Sequence, residues 1–467
     1  MTHFAPKPAT AHRSQNLSGT VRVPGDKSIS HRALMFGAMA QGETIISGLL
    51  EAGDVFSTAE ALRSMGAKLA LGDDGLWRVQ GNGTLHEPSN VIDMGNSGTS
   101  TRLLTGMIAG YPITVTMTGD GSLVKRPMAR VVTPLEQMGA KFMTRAGHRL
   151  PMCVQGSDSL KAIEYKLPVA SAQVKSAILL AGLHAQGTTT VIEEIPTRDH
   201  TETMLRHFGV EIKTQILESG AHAISIQGGQ TMTGCAIDVP CDPSTAAFPA
   251  IAALIVAGSD VRLPRINMNP RRNGLYLTLK EMGADIAFEH ERMEGGEPVA
   301  DLRLRHNGAL KGIVVPPERV PNMIDEIPAL AMVAACAEGT THLTNLGELR
   351  VKESDRLKMV ADGLIACGVN LEMGEESLII HGTGKPPRGG AMIETALDHR
   401  IAMSFLCLGL ATDEPVSIDD ISPVTTSFPG FMDVMSGLGA ELEQSDHPIL
   451  DTDGLFLRTK KTSMDIE

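Results

Sequence analysis

Lysine, arginine and serine residues stand together at the start of a predicted helix near the N-terminus. Residues 23–32 read Val-Pro-Gly-Asp-Lys-Ser-Ile-Ser-His-Arg, and an apolar run over residues 33–40 predicts the helix that follows. With Ser28 as the predicted N-cap, the unpaired N–H groups of the first turn form a site for an anion. Lys27 and Arg32 beside these donors favour a phosphate or carboxylate ligand. Taken alone, such a pattern more often belongs to an ordinary capped helix with two solvated cations.

Charged and hydroxyl side chains also mark other predicted helix starts. Helices recur in pairs along the chain. The first turns are residues 96–102, 171–173, 242–244, 325–326 and 398–400 for first helices, and 125–127, 198–199, 271–272 and 352–356 for second helices. If the pairs are related by near symmetry, their positive dipole ends point to one region. We therefore expect one cleft between domains to collect cations and bind small, multiply charged anions. The expected cations are Lys27, Arg126, Arg198, Lys352, Arg356 and Arg400.

Two acids lie among these cations. Asp325 precedes an apolar helix and Glu353 follows Lys352, so both are candidates for proton transfer. Each also has a structural explanation, Asp325 as an N-cap and Glu353 as a first-turn acid, and capping is compatible with catalysis. His31 and His399 stand beside key cations, but neither has a Ser or Cys partner in sequence that indicates a nucleophilic triad.

A repeat organises the elements that must position these side chains. Variants of the phrase Leu-x-x-Met-Gly-Ala recur with the glycine at positions 66, 139, 209, 283, 368 and 439. Each copy predicts a helix that ends at a glycine C-cap and turns into a strand. The spacing of 70 to 85 residues is too large for a solenoid of short repeats. Six such units fit two globular domains of three units each.

A second signal precedes each glycine. Capped apolar helices are predicted at residues 33–40, 174–183, 246–257 and 328–337, and strands follow at 44–46, 188–192, 260–263 and 340–343. Each unit therefore reads helix, strand, helix and one or more strands. The seam between the third and fourth units lies near residues 233–241.

The composition is that of a globular protein with more than one domain. A chain of 467 residues exceeds one ordinary core, and its net charge of −13 argues against nucleic-acid binding. No apolar stretch suffices to cross a bilayer and no export signal is visible. The six cysteines form no Cys-x-x-Cys pair and read as reduced thiols, so we expect a cytoplasmic protein. We also expect a monomer without membrane or nucleic-acid partners. A phosphate-binding loop and a carboxylate cluster at metal spacing are absent, so we expect neither cofactor nor metal.

Several longer motifs resemble the 5-enolpyruvylshikimate-3-phosphate synthase family over residues 17–443. The motifs are residues 24–32, Gly-Asn-Ser-Gly-Thr at 95–99, Lys-Arg-Pro-Met at 125–128, Ser-Ala-Gln-Val-Lys-Ser at 171–176, Asp-Glu at 325–326, Lys-Glu-Ser-Asp-Arg at 352–356 and Asp-His-Arg at 398–400. Residues 197–201 and 426–429 are most similar to the bacterial group that includes glyphosate-tolerant members. The resemblance implies an α/β fold of two inside-out domains, each of three βαβαββ units. It implies a first domain at 24–240, a second at 1–23 plus 241–443, a tail at 444–467 and an interdomain active site.

The resemblance also implies a reaction and the residues that perform it. The enolpyruvyl group of phosphoenolpyruvate moves to the 5-hydroxyl of shikimate 3-phosphate through a tetrahedral intermediate, and phosphate leaves. Asp325 is implied as the base, with Lys27 and Glu353 sharing the acid–base work at phosphoenolpyruvate. Shikimate 3-phosphate is expected to contact Lys27, Ser28, Arg32, Ser171, Gln173, Arg198, Asp325 and Lys352. Phosphoenolpyruvate is expected to contact Lys27, Gly98, Arg126, Gln173, Arg356 and Arg400.

The chain departs from the family pattern in two places. Thr426 stands where many members carry a lysine, and Ser97 replaces the usual alanine before Gly98. The inhibitor glyphosate occupies the phosphoenolpyruvate position in this family, and alanine in place of this glycine marks tolerant relatives. Because this chain keeps Gly98, we expect ordinary sensitivity to glyphosate.

Three alternatives have different sequence signatures. The sister enzyme that acts on UDP-N-acetylglucosamine typically carries Lys-Asn where this chain has Lys27-Ser28, and a reactive loop cysteine without a counterpart here. A non-catalytic anion-binding protein on the same repeat gains little from Asp325 and Glu353 in its site. A kinase is disfavoured because the nucleotide loop is missing.

Overall fold

The computed structural model describes residues 6–445. Two short strands, β1 (Ala9–Ala11) and β2 (Ser18–Thr20), precede three α/β units and the single strand β14. The first unit contains α1 (Lys27–Met39), β3 (Gln41–Ser47), α2 (Gly53–Ser64), β4 (Lys68–Leu71) and β5 (Trp77–Asn82). The second contains β6 (Ile92–Asp93), α3 (Gly98–Ala109), β7 (Thr114–Thr118), α4 (Ala129–Met138), β8 (Lys141–Arg145) and β9 (Arg149–Gln155). The third contains β10 (Glu164–Lys166), α5 (Ala172–Gly182), β11 (Thr188–Glu193), α6 (His200–His207), β12 (Ile212–Ile216) and β13 (His222–Gln227), and β14 (Ala236–Asp238) follows.

Three more units complete the described chain. The fourth contains α7 (Pro243–Ile255), β15 (Asp260–Asn267), α8 (Gly274–Glu281), β16 (Asp285–Glu294) and β17 (Glu297–Arg305). The fifth contains α9 (Ile327–Cys336), β18 (Glu338–Leu343), α10 (Arg356–Ala366), β19 (Asn370–Met373) and β20 (Leu378–Thr383). The sixth contains β21 (Met392–Ile393), α11 (His399–Gly409), β22 (Val416–Ile418), α12 (Phe431–Gly437) and β23 (Leu442–Gln444).

Sheet pairing shows how the units close on one another. The second unit builds one sheet in the order β6-β7-β9-β8, and the third builds β10-β11-β13-β12 in the same way, which is the βαβαββ pattern. The first unit takes β14 as its first strand, so its sheet runs β14-β3-β5-β4. The N-terminal strands pair with later units, because β2 lies beside β15 and β1 lies between β22 and β23. The expected fold of six repeats is confirmed.

Two separate clusters of buried hydrophobic residues form the cores. One draws on residues 29–239, and the other on residues 9–23 and 241–440. The first helix of each unit lies inside its cluster; α7, for example, is buried at all 13 positions. Burying a helix on every side explains why these segments read as unbroken apolar runs rather than as amphipathic helices.

The repeated glycines end the second helices as predicted. Glycines 66, 139, 209, 283, 368 and 439 all have positive φ, between 88° and 112°. In this left-handed region a side chain is strained, so glycine is favoured at every copy.

Three expectations at helix starts, for Ser28, Asp325 and Glu353, were wrong. The N-cap of α1 is Asp26, whose carboxylate accepts a hydrogen bond from Ile29 N–H at 3.0 Å, whereas Ser28 lies inside the helix. Asp325 sits in a 3-10 turn before α9 and caps nothing, and Glu353 precedes α10, whose N-cap is Asp355.

The predicted tail at 444–467 begins at the last residue of β23, and all of it beyond residue 445 falls outside the described part of the chain. No helix within residues 6–445 has the length and apolar character needed to span a membrane.

Candidate active site

A cavity of about 520 Å³ lies where the helix starts of the two cores face each other. Twelve of the thirteen residues expected to touch substrate line it: Lys27, Ser28, Gly98, Arg126, Ser171, Gln173, Arg198, Asp325, Lys352, Glu353, Arg356 and Arg400. The six expected cations are all among them. The repeat therefore brings distant helix starts into one charged cleft.

Arg32 is the exception. Its side chain is buried beneath the cleft, where Nε donates to Thr201 Oγ1 at 2.8 Å and Nη2 donates to Ser176 Oγ at 2.9 Å. A third bond runs from Nη1 to the carbonyl of Ser28 at 2.9 Å. Arg32 thus supports the backbone of a cleft residue, although the sequence placed it in the cleft itself.

Lys27 is held from both halves of the chain. Its backbone N–H donates to Asp242 Oδ2 at 3.0 Å, and its ammonium lies 3.0 Å from Asp54 Oδ2. Asp54 also lines the cavity and was missed by sequence reasoning. The available signal was an acid in the first turn of α2, where such residues are common for structural reasons.

Two arginines crowd the start of α3. A Cβ built on Gly98 would lie 2.9 Å from Arg126 Nη1 and 3.1 Å from Arg102 Nη1. Arg102 donates to Gln173 Oε1 at 2.7 Å, and Gln173 Nε2 donates to Thr99 Oγ1 at 3.0 Å. Desolvation and the nearby Arg126 charge lower the pKa of Arg102 to about 10. Arg102 is a cleft residue that sequence reasoning placed in a helix start without assigning it to the site.

Asp325 is surrounded by cations. Its carboxylate accepts from Arg198 Nη2 at 2.6 Å and from Arg356 Nη1 at 3.2 Å, and Lys352 Nζ lies 3.2 Å away. Arg400 Nη1 donates to its backbone carbonyl at 3.0 Å. Burial by itself raises the pKa of Asp325, but Lys352, Arg198 and the other cations outweigh burial and hold the pKa well below the ordinary value. The carboxylate is therefore ionised at neutral pH.

Glu353 and Asp398 share one buried arginine. Arg356 Nη2 lies 2.7 Å from Glu353 Oε2, while Nε and Nη2 donate to Asp398 at 2.8 and 3.2 Å. Arg126 Nη1 reaches Glu353 Oε1 at 3.5 Å from the other half. Burial raises the pKa of Glu353, but Arg356 and Arg126 dominate and keep that pKa well below the ordinary value.

His399 is the cleft histidine. It is 6% exposed, lines the cavity, and its Nε2 is buried without a hydrogen-bond partner among the described residues. Burial and the Lys27 charge lower the pKa of His399 to about 3, so the ring is neutral at neutral pH. Thr426 does not line the cavity; its hydroxyl donates to the carbonyl of Pro423 at 2.7 Å.

Within residues 6–445, the ion pairs that join the halves include the buried pair of Arg272 and Asp26, 3.0 Å long, and three pairs in which both partners line the cleft. Arg198 meets Asp325 at 2.6 Å, Arg126 meets Glu353 at 3.5 Å, and the rim pair of Arg130 Nη1 and Glu348 Oε1 is 3.0 Å long. Within residues 6–445, no group of three or more His, Cys, Asp and Glu residues is arranged to hold a metal ion. The arrangement suits a pair of small anions placed beside two carboxylates.

Known structures share this architecture. The EPSP synthase of Acinetobacter baumannii superimposes with a TM-score of 0.83 and 46% identity over 94% of this chain and 100% of that one. The enolpyruvyl transferase NikO of Streptomyces tendae gives a TM-score of 0.75 at 16% identity over 95% of this chain and 100% of that one, a likeness of fold. The fold and the cationic interdomain site define an enolpyruvyl transferase.

Sequence comparison specifies which kind. The profile of the family described as EPSP synthase (3-phosphoshikimate 1-carboxyvinyltransferase) matches residues 11–435. The 3-phosphoshikimate 1-carboxyvinyltransferase of Paramagnetospirillum magneticum is 56% identical over 444 residues, which are 95% of this chain and 99% of that protein. The enzyme of that name from Cereibacter sphaeroides is 55% identical over 442 residues, 94% and 99% of the two chains. The chain belongs to the EPSP synthase family and is a transferase of the shikimate pathway, as the motifs predicted; a UDP-N-acetylglucosamine enzyme is not favoured.

Proposed function

We propose that the cleft binds shikimate 3-phosphate and phosphoenolpyruvate side by side and joins them through a tetrahedral adduct. The observation that carries this proposal is the position of ionised Asp325 among cations from both halves, at 2.6 to 3.2 Å. Asp325 caps no helix, so capping does not explain its position. Two anionic substrates would neutralise the surrounding cations, raise the pKa of Asp325 and make it a better base.

Shikimate 3-phosphate is assigned to the side of the cleft near α5 and the loop before α10. Its binding residues there are Ser28, Ser171, Gln173, Arg198 and Lys352. Arg198 and Lys352 supply charge for the phosphate, and Ser171, at the N-cap of α5, supplies a helix start. Arg32 supports Ser28 from below rather than contacting the substrate.

Phosphoenolpyruvate is assigned to the side formed by Gly98, Arg126, Arg356 and Arg400, with Lys27 and Gln173 at the boundary. Planar guanidinium groups form bidentate hydrogen bonds with carboxylate and phosphate oxygens. The absence of a side chain on Gly98 leaves the space next to Arg126 open.

The proposed chemistry balances two proton transfers. The 5-hydroxyl oxygen attacks C2 of phosphoenolpyruvate as Asp325 takes its proton. Lys27 and Glu353 share the acid–base work at the methylene carbon, which receives its proton from the Lys27 ammonium. Elimination then returns a proton from the new methyl carbon to Lys27 as the bond to phosphate breaks, and the proton taken by Asp325 leaves with the phosphate. Enolpyruvylshikimate 3-phosphate and inorganic phosphate result.

The domain division and cellular setting are also proposals. The two buried clusters support domains at residues 24–240 and at 1–23 plus 241–443. All six cysteines are free thiols, four of them buried, which supports a reducing cytoplasm. A monomer is supported because one chain supplies every assigned side chain, and glyphosate is proposed to compete at the phosphoenolpyruvate position.

Phosphate release tests the function. The enzyme is supplied with phosphoenolpyruvate and either shikimate 3-phosphate or UDP-N-acetylglucosamine, and we expect release with the first acceptor alone. The matched variant is Asp325→Asn, which keeps the size of the side chain but cannot take the proton, so kcat should fall by about 10²-fold or more. Turnover within a few-fold of wild type in this variant would show that the base lies elsewhere.

A further inference from the structure

Four buried polar side chains form a connected network beside the cleft. His31 belongs to α1, Thr58 to α2, and Ser97 and Ser100 to the start of α3. His31 Nδ1 lies 2.8 Å from Thr58 Oγ1 and 3.1 Å from Ser100 Oγ. The Thr58 and Ser100 hydroxyls contact each other, and Ser100 Oγ lies 2.7 Å from Ser97 Oγ. None of the four lines the cavity. We call these residues the hydroxyl network.

The tautomer of His31 sets the direction of the hydrogen bonds in the hydroxyl network. Burial, with the charges of Lys27 and Arg32, lowers the pKa of His31 well below the ordinary value, so the ring is neutral and has one N–H and one acceptor nitrogen. With Nδ1 as acceptor, hydroxyl hydrogens run from Ser97 to Ser100 to Thr58 to His31, but Nε2 then carries the ring hydrogen and is buried without a hydrogen-bond partner among the described residues. With Nδ1 as donor the direction reverses, and the Ser97 hydrogen has no acceptor in the network. Either arrangement keeps the four side chains linked, so the connection between the helices does not depend on the tautomer of His31.

Two members of the hydroxyl network adjoin groups that face the cleft. Ser97 caps α3 and directly precedes Gly98. Thr58 lies one helical turn after Asp54, whose carboxylate pairs with Lys27 at 3.0 Å. Gly98 and Lys27 are on different helices, and the hydroxyl network is a direct polar connection between those helices.

We propose that the hydroxyl network positions the phosphoenolpyruvate end of the cleft. It holds the first turn of α3 against α1 and α2, so that Gly98 and the Lys27 ammonium keep a constant separation. Buried groups that satisfy one another favour a single arrangement, because each unpaired group is costly. The proposal rests on the assignment of Gly98 and Lys27 to phosphoenolpyruvate made above. These four residues are positioning residues and do not touch substrate.

The test compares two substitutions at one site. Thr58→Val keeps the shape but removes the hydroxyl, so α2 loses its hydrogen bonds to His31 and Ser100, which still lie 3.1 Å apart. We expect it to raise the KM for phosphoenolpyruvate by about 5-fold or more, since a lost buried hydrogen bond typically costs about that factor in an equilibrium. The KM for shikimate 3-phosphate should stay within about 2-fold. Thr58→Ser keeps the hydroxyl and should remain near wild type in both constants.

A loss of thermal stability in Thr58→Val with both KM values and kcat unchanged would overturn the proposal. If that variant does not fold, Ser97→Ala removes the terminal hydroxyl of the hydroxyl network. The same difference between the two KM values is then required of Ser97→Ala. Arg126→Gln, measured in parallel, tests the substrate site itself. If it raises the KM for phosphoenolpyruvate while the network variants do not, the network proposal alone is wrong. If it also leaves that KM unchanged, both the site assignment and the network proposal fail.

Discussion

Individual side chains in the cleft owe their ionisation to their neighbours. Asp325 and Glu353 are largely buried, which disfavours their charged forms, yet cations from both halves keep them ionised. Arg356 contributes to both carboxylates and is itself anchored on Asp398. Removing any one of these groups leaves a buried charge without its partner, so functional and structural effects of substitution at this site are coupled.

Glycine at position 98 determines the space beside the Arg126 guanidinium. Gly98→Ala adds a methyl group 2.9 Å from Arg126 Nη1, the mobile end of a side chain that can shift. We expect the wild type to be inhibited by glyphosate, and the variant to raise the inhibition constant more than the KM for phosphoenolpyruvate, because the longer inhibitor needs more of that space. Steady-state kinetics of both forms measure this.

The control for this substitution is Gly437→Ala in α12. A Cβ at that position meets nothing within 4 Å, and Gly437 does not line the cleft, so both constants should stay unchanged. A tolerant wild type, or an equal rise of both constants in Gly98→Ala, would contradict the role given to Gly98.

At the scale of elements, the turn before α11 combines strain with function. Ala396 and Leu397 both have positive φ, 50° and 61°, and Asp398 N–H donates to Thr395 carbonyl at 2.9 Å. Such a turn normally carries Asn or Gly at its centre, and left-handed conformation costs other residues about 1–2 kcal/mol. This turn positions Asp398, which caps α11 and pairs with Arg356. These contacts hold a strained backbone in place at the edge of the site.

Relief of this strain should stabilise the protein. Leu397 is 63% exposed, so Leu397→Asn loses little packing while placing a residue that tolerates positive φ. We expect the free energy of unfolding to rise by about 0.5–1 kcal/mol, as measured by urea denaturation. Leu397→Ala also removes the side chain but lacks the amide that lets asparagine hydrogen-bond to the local backbone at positive φ. If the alanine variant is stabilised as much as the asparagine variant, strain is not the cause.

At the scale of the whole molecule, the cleft faces of the two halves meet through charges that substrates would compete for. The rim pair of Arg130 and Glu348 is more than one third exposed on both sides, and pairs of this kind contribute about 0–1 kcal/mol. The inner pairs involve Arg198 and Arg126, which are assigned to substrate. A bridging anion therefore provides the main attraction that we expect to close the cleft.

Closure can be measured in solution. We expect the radius of gyration from small-angle scattering to fall when shikimate 3-phosphate is added, because its phosphate draws cations of both halves together. UDP-N-acetylglucosamine serves as the control ligand and should leave the radius unchanged. A constant radius at saturating shikimate 3-phosphate would count against an interdomain site that closes.

The sequence alone determined the repeat, the fold and the cations that gather at helix starts. The six glycine C-caps and the fully apolar first helices are local patterns, and local backbone chemistry is visible in sequence. The tertiary structure decided which side chains face the cleft. Arg32 points beneath it, Asp54 and Arg102 point into it, and His31 joins a buried network, because these directions depend on packing between units far apart in the chain.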